Sequence, residues 1–265
     1  MAQITADRIA GYMAAEADLP PGQPRFRYLI CSSPRTGSSL LAAGLRRTGE
    51  AGTPHEYFNG RYVEAYRRRI GDPGLGLGAY QDFLLRHRCT ANGVFGAKMH
   101  FDQLQALARN RAAQNAFLAP FDRLILTRRA NQVAQAVSFA RALATDIWNV
   151  QTEDQAAAAR RTPAAYDHAA IARALAMVAA QDAAWISLSE AIGRPFLTVP
   201  YEVLCRNFPA ALAAAAAHLD IPPPRDGIGI SDEFSKLGDE TNLDWERRFR
   251  AESGQVMAQG PNQSS

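Results

Sequence analysis

The sequence contains few cysteines, and their arrangement suggests neither a metal site nor a disulfide framework. Only three are present, Cys31, Cys89 and Cys205, and they lie far apart in the chain. They form no C-x-x-C pair and have no histidine partner at the spacing of a zinc site, so we expect no metal. Unpaired thiols among apolar neighbours fit a reducing compartment, and we therefore expect a cytoplasmic protein.

Long hydrophobic runs and a large charge excess are also missing. No uninterrupted apolar run approaches the roughly 20 residues of a membrane span, so we predict no transmembrane segment. Residues 1–19 mix charged with apolar side chains, which is not the pattern of a signal peptide. The 29 Lys and Arg residues are nearly balanced by 26 Asp and Glu, and the formal net charge is +3. A dedicated nucleic-acid binder needs a clear basic stripe, so we expect no nucleic-acid partner.

The composition is that of an ordinary globular protein. The 265 residues are 47% hydrophobic and 21% charged. A chain of this length buries enough apolar surface to fold without a metal or a disulfide. We find no low-complexity linker and no internal repeat. The sequence therefore predicts a single domain over residues 1–265, with a frayed tail at 256–265.

Short apolar runs alternate with helical patterns along the chain. The apolar runs predict strands at Tyr28–Cys31, Val94–Met99, Arg123–Thr127 and Pro195–Val199. Apolar residues at helical spacing predict helices at Ser38–Arg47, Tyr80–His87, Asn131–Leu143, Ala169–Ile192 and Phe208–Leu219. This alternation predicts an α/β fold, in which helices flank a parallel β-sheet on both faces.

Cationic and hydroxyl-bearing residues follow the predicted strands. The segment 32–39, with Arg35 and a glycine, joins the first strand to a helix. Lys98 lies at the end of the second strand, and Arg128 and Arg129 follow the third. Ligands of open parallel sheets bind beyond the carboxyl ends of the strands, and a helix N-terminus with nearby hydroxyls and an arginine attracts anions. The sequence therefore predicts an anion-binding site at this edge.

Three common nucleotide-binding patterns are missing from the segment after the first strand. It is not a Walker A motif, because no lysine follows Gly37. The third strand ends in arginines instead of the acidic magnesium ligand of a nucleoside-triphosphate kinase. No G-x-G-x-x-G follows the first strand. Two functions stay open as alternatives, a nucleotide or phosphosugar kinase and a non-catalytic nucleotide-binding protein.

Several segments, in chain order, resemble one enzyme family. S-S-P-R-T-G-S-S-L-L, residues 32–41, resembles the phosphosulfate-binding loop of the sulfotransferase superfamily. G-E-A-G-T-P-H-E-Y-F, residues 49–58, is similar to the mycobacterial trehalose 2-sulfotransferase family of carbohydrate sulfotransferases. The further matching segments are Val94–Met99, Arg128–Ala142, Ile147–Trp148 and Tyr201–Asn207. The resemblance extends from about Tyr28 to Arg250.

The resemblance implies a P-loop-like α/β fold and 3′-phosphoadenosine 5′-phosphosulfate (PAPS) as the sulfate donor. It implies that the following residues bind the 5′-phosphosulfate: Ser33, Arg35, Thr36, Gly37, Ser38 and Ser39. Arg129 and Ser138 match the pair that binds the 3′-phosphate, although the spacing alone favours an ordinary helical serine at Ser138. The resemblance also implies a homodimer.

The resemblance assigns the role of general base to Glu56. The proton of a sugar hydroxyl must be removed before the oxygen can attack, and a positioned carboxylate can accept it. We expect the aromatic neighbours Tyr57 and Phe58 to desolvate Glu56 and to raise its pKa. His55 is the rival base, because imidazole titrates near neutral pH without any perturbation.

The remaining expectations concern the leaving group and the acceptor. Arg35 is expected to stabilise negative charge on the leaving oxygen, and Lys98 could add to this effect. The acceptor is expected to be a sugar hydroxyl of a trehalose-like disaccharide or a glycolipid. Its candidate contacts are His55, Tyr57, Phe58, Lys98, His100 and Trp148. The sequence thus predicts a carbohydrate sulfotransferase that uses PAPS and no metal.

Overall fold

A computed structural model describes residues 6–148, 164–225, 227–230 and 240–258. Its strands are β1 (Phe26–Ser32), β2 (Val94–His100), β3 (Arg123–Arg128) and β4 (Leu197–Pro200). The helices of its first part are α1 (Ala6–Met13), α2 (Ser38–Arg47), α3 (Gly60–Ile70), α4 (Leu77–His87), α5 (Phe101–Leu107) and α6 (Arg111–Leu118). The later helices are α7 (Gln132–Thr145), α8 (His168–Ala191), α9 (Tyr201–Arg206), α10 (Phe208–His218) and α11 (Glu240–Ala258).

The four strands form one parallel sheet in the order β2-β1-β3-β4. Ser32, at the end of β1, lies opposite His100 of β2 and Thr127 of β3. Arg128 of β3 lies opposite Pro200 of β4. The carboxyl ends of all four strands therefore meet at one edge, which confirms the predicted parallel sheet.

Helices pack on both faces of the sheet, as predicted. Leu29 and Cys31 belong to a core on one face, to which α4, α5 and α8 contribute Leu84, Leu104 and Trp185. Ile30 points to the opposite face by strand alternation. There α2 contacts β1, and α10 contacts both α2 and β4. Gly44 lets α2 and α10 approach closely, since a Cβ atom at this position would lie 2.5 Å from the Phe208 ring.

Most predicted elements match the structure within a few residues. The clearest difference is β4, which begins at Leu197 instead of Pro195. Proline has no N–H group to donate to a strand ladder, so the strand begins later than the apolar run does. The helices α1, α5, α6, α9, α3 and α11 were not predicted. The first four have eight residues or fewer, which is too short for a helical periodicity to stand out.

The chain divides into two compact units. The sheet unit comprises residues 4–130 and 180–231, and the helical unit comprises residues 1–3, 131–179 and 232–265. The helical unit has its own core, in which Val137 of α7, Ile171 of α8 and Trp245 of α11 take part. The single domain predicted over residues 1–265 stays a prediction. The predicted tail, residues 256–265, lies outside the described residues from 259 onward.

Among the described residues, α8 alone is long and apolar enough to cross a membrane by length and composition. A core helix of a soluble protein meets the same test. Its residues Trp185 and Leu188 are fully buried in the core of the sheet unit, and Ile171 and Val178 are fully buried in that of the helical unit. Of the apolar window of α8, 33% is buried, so these side chains account for part of its apolar character.

Candidate active site

The β1–α2 loop, residues 33–37, makes a tight turn between the end of β1 and the start of α2. Arg35 has a φ of 68° and Gly37 a φ of 81°, both in the left-handed region. A Cβ atom at Gly37 would lie 2.9 Å from the Tyr201 ring. Both the φ and the close approach of Tyr201 therefore require glycine at this position. The turn places Ser38 and Ser39 in the first turn of α2, where the N–H groups of the helix favour an anion.

Buried hydroxyl groups fix the β1–α2 loop from inside the protein. Ser33 Oγ donates a hydrogen bond of 2.7 Å to Asp182 Oδ1 of α8. Thr36 Oγ1 donates to the carbonyl oxygen of Ser33 at 3.0 Å and lies 2.8 Å from Thr127 Oγ1 of β3. Asp182 is 1% exposed and also receives a hydrogen bond of 3.3 Å from Arg128 Nε. The hydroxyl groups of Ser33 and Thr36 thus hold the loop in shape, and their contact with a sulfate donor stays a prediction.

Two arginines lie close to Tyr201 near this loop. The guanidinium carbon of Arg129 lies 4.5 Å from the centre of the Tyr201 ring. Burial lowers the pKa of Arg35 to about 10; Tyr201 opposes this change, and the positive charge of Arg129 adds to it. Arg129 Nε is buried and has no hydrogen-bond partner among the described residues. Two neighbouring cations, one with a buried N–H group left unsatisfied, form a place where an anion is favourable.

Glu56 lies at the centre of a second group of polar side chains, the glutamate cluster, formed by Glu56, Lys98, His100 and Gln103. Lys98 Nζ donates a hydrogen bond to Glu56 Oε1. Gln103 Nε2 donates to Glu56 Oε2 at 2.9 Å, and His100 Nε2 lies 3.7 Å from Glu56 Oε1. Lys98 Nζ also lies 3.1 Å from Ser39 Oγ and 3.4 Å from Ser38 Oγ. The cluster is thereby connected to the start of α2.

The environment of Glu56 shifts its pKa in the direction opposite to the predicted one. Burial by itself raises the pKa of Glu56, as expected from its position. The positive charge of Lys98, that of His100 when protonated, and the hydrogen bonds from Lys98 and Gln103 outweigh burial and hold the pKa well below its ordinary value. The expectation of a raised pKa was therefore wrong for the protein without ligands, because it took account of the aromatic neighbours and missed the lysine.

The two histidines of the prediction have different surroundings. His100 Nδ1 lies 2.8 Å from Ser32 Oγ, and burial lowers the pKa of His100, so its ring is neutral near pH 7. His55 Nε2 lies 3.1 Å from Arg46 Nη1, and its ring packs against Tyr12 with 4.0 Å between the ring centres. A guanidinium group can only donate, so Nε2 of His55 accepts this hydrogen bond. That contact disfavours His55 as the general base.

The other predicted contacts of the acceptor lie in two places. Tyr57 and Phe58 are 1% and 6% exposed, and both belong to the apolar core of the sheet unit. The Tyr57 hydroxyl donates to the carbonyl oxygen of Thr53, and burial raises the pKa of Tyr57 to about 12. This burial disfavours direct contact with a sugar. Ser138 and Trp148 belong to the helical unit, and their roles stay predictions.

Three residues of this region were missed by the sequence prediction of the site: Gln103, Asp182 and Tyr201. A signal for Asp182 was present, since it is a carboxylate on the apolar stripe of α8, four residues after Val178 and three before Trp185. Gln103 follows β2 closely, and only the structure shows that it reaches Glu56. Within the described ranges, no group of three or more His, Cys, Asp or Glu residues could hold a metal ion.

A parallel sheet with a tight β1–α2 loop at its carboxyl edge defines an α/β protein of the P-loop-like class. Comparison of the sequence with models of protein families identifies the family within this class. The model of the family described as Stf0 sulphotransferase matches residues 27–252, and the chain belongs to this family. The segments that carried the resemblance to sulfotransferases lie within this range.

Curated relatives agree with this assignment. The chain is 26% identical over 261 residues to the trehalose 2-sulfotransferase of Mycobacterium tuberculosis (strain Erdman), covering 85% of this chain and 95% of the relative. It is 26% identical over 262 residues to the trehalose 2-sulfotransferase of Mycolicibacterium smegmatis, with the same coverage. The crystal structure of a sulfotransferase from Alicyclobacillus acidocaldarius covers 89% of this chain and 95% of its own, at 12% identity and a TM-score of 0.47.

Proposed function

We propose that the protein is a PAPS-dependent carbohydrate sulfotransferase in which Glu56 is the general base. One observation carries the proposal: Lys98 joins the Glu56 carboxylate to Ser39 at the start of α2. The candidate base and the candidate anion site therefore belong to one connected arrangement. Membership of the sulfotransferase family supports the class of reaction.

The residues near the β1–α2 loop fit a phosphosulfate donor. Arg35 and Arg129 are cations near Tyr201, and the buried Nε of Arg129 would be satisfied by a phosphate oxygen. Ser39, Lys98 and the first turn of α2 would face the 5′-phosphosulfate. PAPS supplies an activated sulfuryl group and, as leaving group, adenosine 3′,5′-bisphosphate.

The reaction forms one bond to sulfur and breaks one. The acceptor oxygen forms the new S–O bond, the S–O bond to the phosphate breaks in line with it, and the acceptor proton passes to Glu56. Arg35 and Lys98 stabilise the charge that develops on the phosphate oxygen, since donors held in place before the reaction need no reorganisation. Glu56 then releases its proton to the solvent.

The names of the relatives support a sugar acceptor. Both curated relatives are trehalose 2-sulfotransferases. We therefore propose a trehalose-like disaccharide, free or within a glycolipid, as the acceptor. His100 is the candidate acceptor contact whose ring lies next to Glu56, 3.7 Å from its carboxylate. We further propose that the protein is a cytoplasmic homodimer and works without a metal ion.

Two measurements test the proposal in sequence. Calorimetric titration with adenosine 3′,5′-bisphosphate should show saturable binding, and incubation with PAPS and trehalose in EDTA should yield a product heavier by one sulfate in mass spectrometry. A panel of disaccharides and glycolipids replaces trehalose if trehalose is not sulfated. Nucleotide binding without transfer to any acceptor would indicate a non-catalytic nucleotide-binding protein. Activity with ATP and magnesium in place of PAPS would indicate a kinase.

A further inference from the structure

Lys98 lies between the start of α2 and the candidate base. Its ammonium group has three N–H donors. In the structure these face Glu56 Oε1, Ser39 Oγ at 3.1 Å and Ser38 Oγ at 3.4 Å. The side chain is 6% exposed, so bulk water contributes little to its solvation. An anion that binds at Ser38 and Ser39 must therefore compete with these three partners for the N–H groups of Lys98.

The use of lysine in this chain makes the position unusual. Only two of its 29 basic residues are lysines, Lys98 and Lys236. Everywhere else the chain uses arginine, including at Arg35 and Arg129. An ammonium group is a compact charge without the fixed planar geometry of a guanidinium group, so it can move between two partners with a small rotation of its side chain.

The charges around Glu56 come from a few elements. Lys98 and His100 of β2 face the carboxylate, Gln103 of α5 donates to it, and Tyr62 of α3 lies near enough for its own ionisation to be affected. Among these groups Lys98 is the cation that also contacts the start of α2. The basicity of Glu56 therefore depends chiefly on where the charge of Lys98 is directed.

We propose that binding of the sulfate donor draws the charge of Lys98 away from Glu56 and toward the phosphosulfate, so that Glu56 becomes an effective base only when the donor is bound. This inference rests on the proposed function. Without donor, the ion pair keeps Glu56 ionised but weakly basic. With donor, a second anion shares the ammonium group and adds a negative charge near the carboxylate, and both changes favour the protonated form of Glu56.

A consequence can be measured without any acceptor. When the donor binds in mildly acidic solution, Glu56 should take up part of a proton from the solvent. Isothermal titration calorimetry detects this uptake if the same titration is run in two buffers with different ionisation enthalpies. At about pH 5.5 we expect an uptake on the order of a few tenths of a proton per site in the wild-type protein titrated with PAPS.

Two variants assign the uptake to the right groups. In Glu56→Gln the titrating carboxylate is gone, and in Lys98→Gln the carboxylate has already lost its partner before the donor binds. Glu56→Gln should therefore lose the uptake, and Lys98→Gln should lose the part of it that comes from the release of the ion pair. Titration of the 3′-phosphate of the donor itself is common to all three proteins and cancels in the comparison. Equal proton uptake in all three proteins would overturn the inference, while the proposed function would stand.

Failure of the proposed function gives a different result. If wild-type protein binds neither PAPS nor adenosine 3′,5′-bisphosphate, the donor site itself is wrong, and the inference is wrong with it. If only Glu56→Gln loses the uptake and Lys98→Gln keeps it, Glu56 titrates but Lys98 is not the link, which also overturns the inference.

A measurement on the wild-type chain avoids variants that fold poorly. Protein grown with lysine labelled by ¹³C at Cε gives two side-chain signals, one each for Lys98 and Lys236, and the variant Lys236→Arg assigns them. Addition of PAPS should change the chemical shift of Lys98. In the donor complex this chemical shift should also change between about pH 5 and 7, as Glu56 takes up a proton. A Lys98 signal that does not change when PAPS saturates the protein would overturn the inference.

Discussion

The arginines near the β1–α2 loop and the glutamate cluster lie in the same unit, but their charges are arranged differently. In the first region two positive charges are neighbours, and in the second a negative charge is paired with a positive one. The positive charge of Arg129 disfavours that of Arg35, and Arg129 Nε has no hydrogen bond in the described part of the chain. In the glutamate cluster, the carboxylate of Glu56 is neutralised by Lys98 and bonded by Gln103. The first region holds two neighbouring cations and an unsatisfied buried N–H group, whereas in the second the charges are paired with each other.

Because of this difference, we expect the arginines to act in binding of the donor and the glutamate cluster to act in the chemical step. A pair of like charges gains stability from a ligand that carries the opposite charge, so substitutions there should act on affinity. A neutralised carboxylate contributes little to binding an anion, but it can accept a proton, so substitutions there should act on the rate. Variants of the two regions should therefore differ in which constant they change, the affinity for the donor or the rate of sulfate transfer.

The largest effect is expected for Glu56→Gln. Loss of the proton acceptor should lower kcat by about 10² to 10⁴-fold. The affinity for adenosine 3′,5′-bisphosphate should stay the same or increase, because Lys98 loses the partner that competes for it. Initial rates of sulfate transfer and calorimetric titration measure the two effects. Glu64→Gln, on the exposed surface of α3, is the matched control and should keep the wild-type rate. Full activity of Glu56→Gln would show that another group is the base.

A smaller effect, on binding, is expected for Arg129→Met. A hydrogen bond from a charged group contributes about 1.5 to 3 kcal/mol, so the variant should bind adenosine 3′,5′-bisphosphate about 10 to 100-fold more weakly. Arg123→Met, at the opposite end of β3, is the control.

The ligand can be varied as well as the protein. Adenosine 5′-phosphosulfate lacks the 3′-phosphate, so its binding should be nearly the same in wild type and Arg129→Met. An equal loss of affinity for both nucleotides would place Arg129 elsewhere than at the 3′-phosphate and would weaken the contrast between the two regions.

Local sequence was sufficient to predict the β1–α2 loop. A buried strand, a segment with Arg35 and Gly37, and an amphipathic helix follow each other directly, so the fold of this piece is encoded in about 20 consecutive residues. The parallel sheet followed from the alternation of strands and helices. Glu56 was singled out because its segment resembles a family motif, which carries information that periodicity does not.

The charge state of Glu56 could not be predicted in this way. Lys98 lies 42 residues further along the chain, and it reaches Glu56 because β2 pairs with β1 in a register that sets Lys98 opposite Ile30. In the same way, Asp182 reaches Ser33 across 149 residues. Pair interactions of this kind depend on strand register and helix packing, and a single sequence does not state either.

The smallest expected effect concerns the dependence of stability on pH, and it tests whether the glutamate cluster is neutral in the way the structure indicates. Burial lowers the pKa of His100, so the folded protein binds a proton there less readily than the unfolded chain, whose histidine titrates at about 6.5. The associated stability is present above that pH and is lost as the pH falls below it, by at most about 1.4 kcal/mol per pH unit. The pKa of Glu56 is also lowered in the folded state, so its contribution is lost only below about pH 4.3, where the unfolded carboxylate begins to bind protons.

Urea unfolding between about pH 7.5 and 5 separates the two contributions. In this range the free energy of unfolding of the wild-type protein should decrease more steeply than that of His100→Gln, while the loss below about pH 4.3 should remain in the variant. The reverse result, a steeper decrease in His100→Gln than in the wild type, would mean that His100 is protonated in the folded protein and pairs with Glu56. The glutamate cluster would then carry two cations around one carboxylate, and its contrast with the arginines near the β1–α2 loop would disappear.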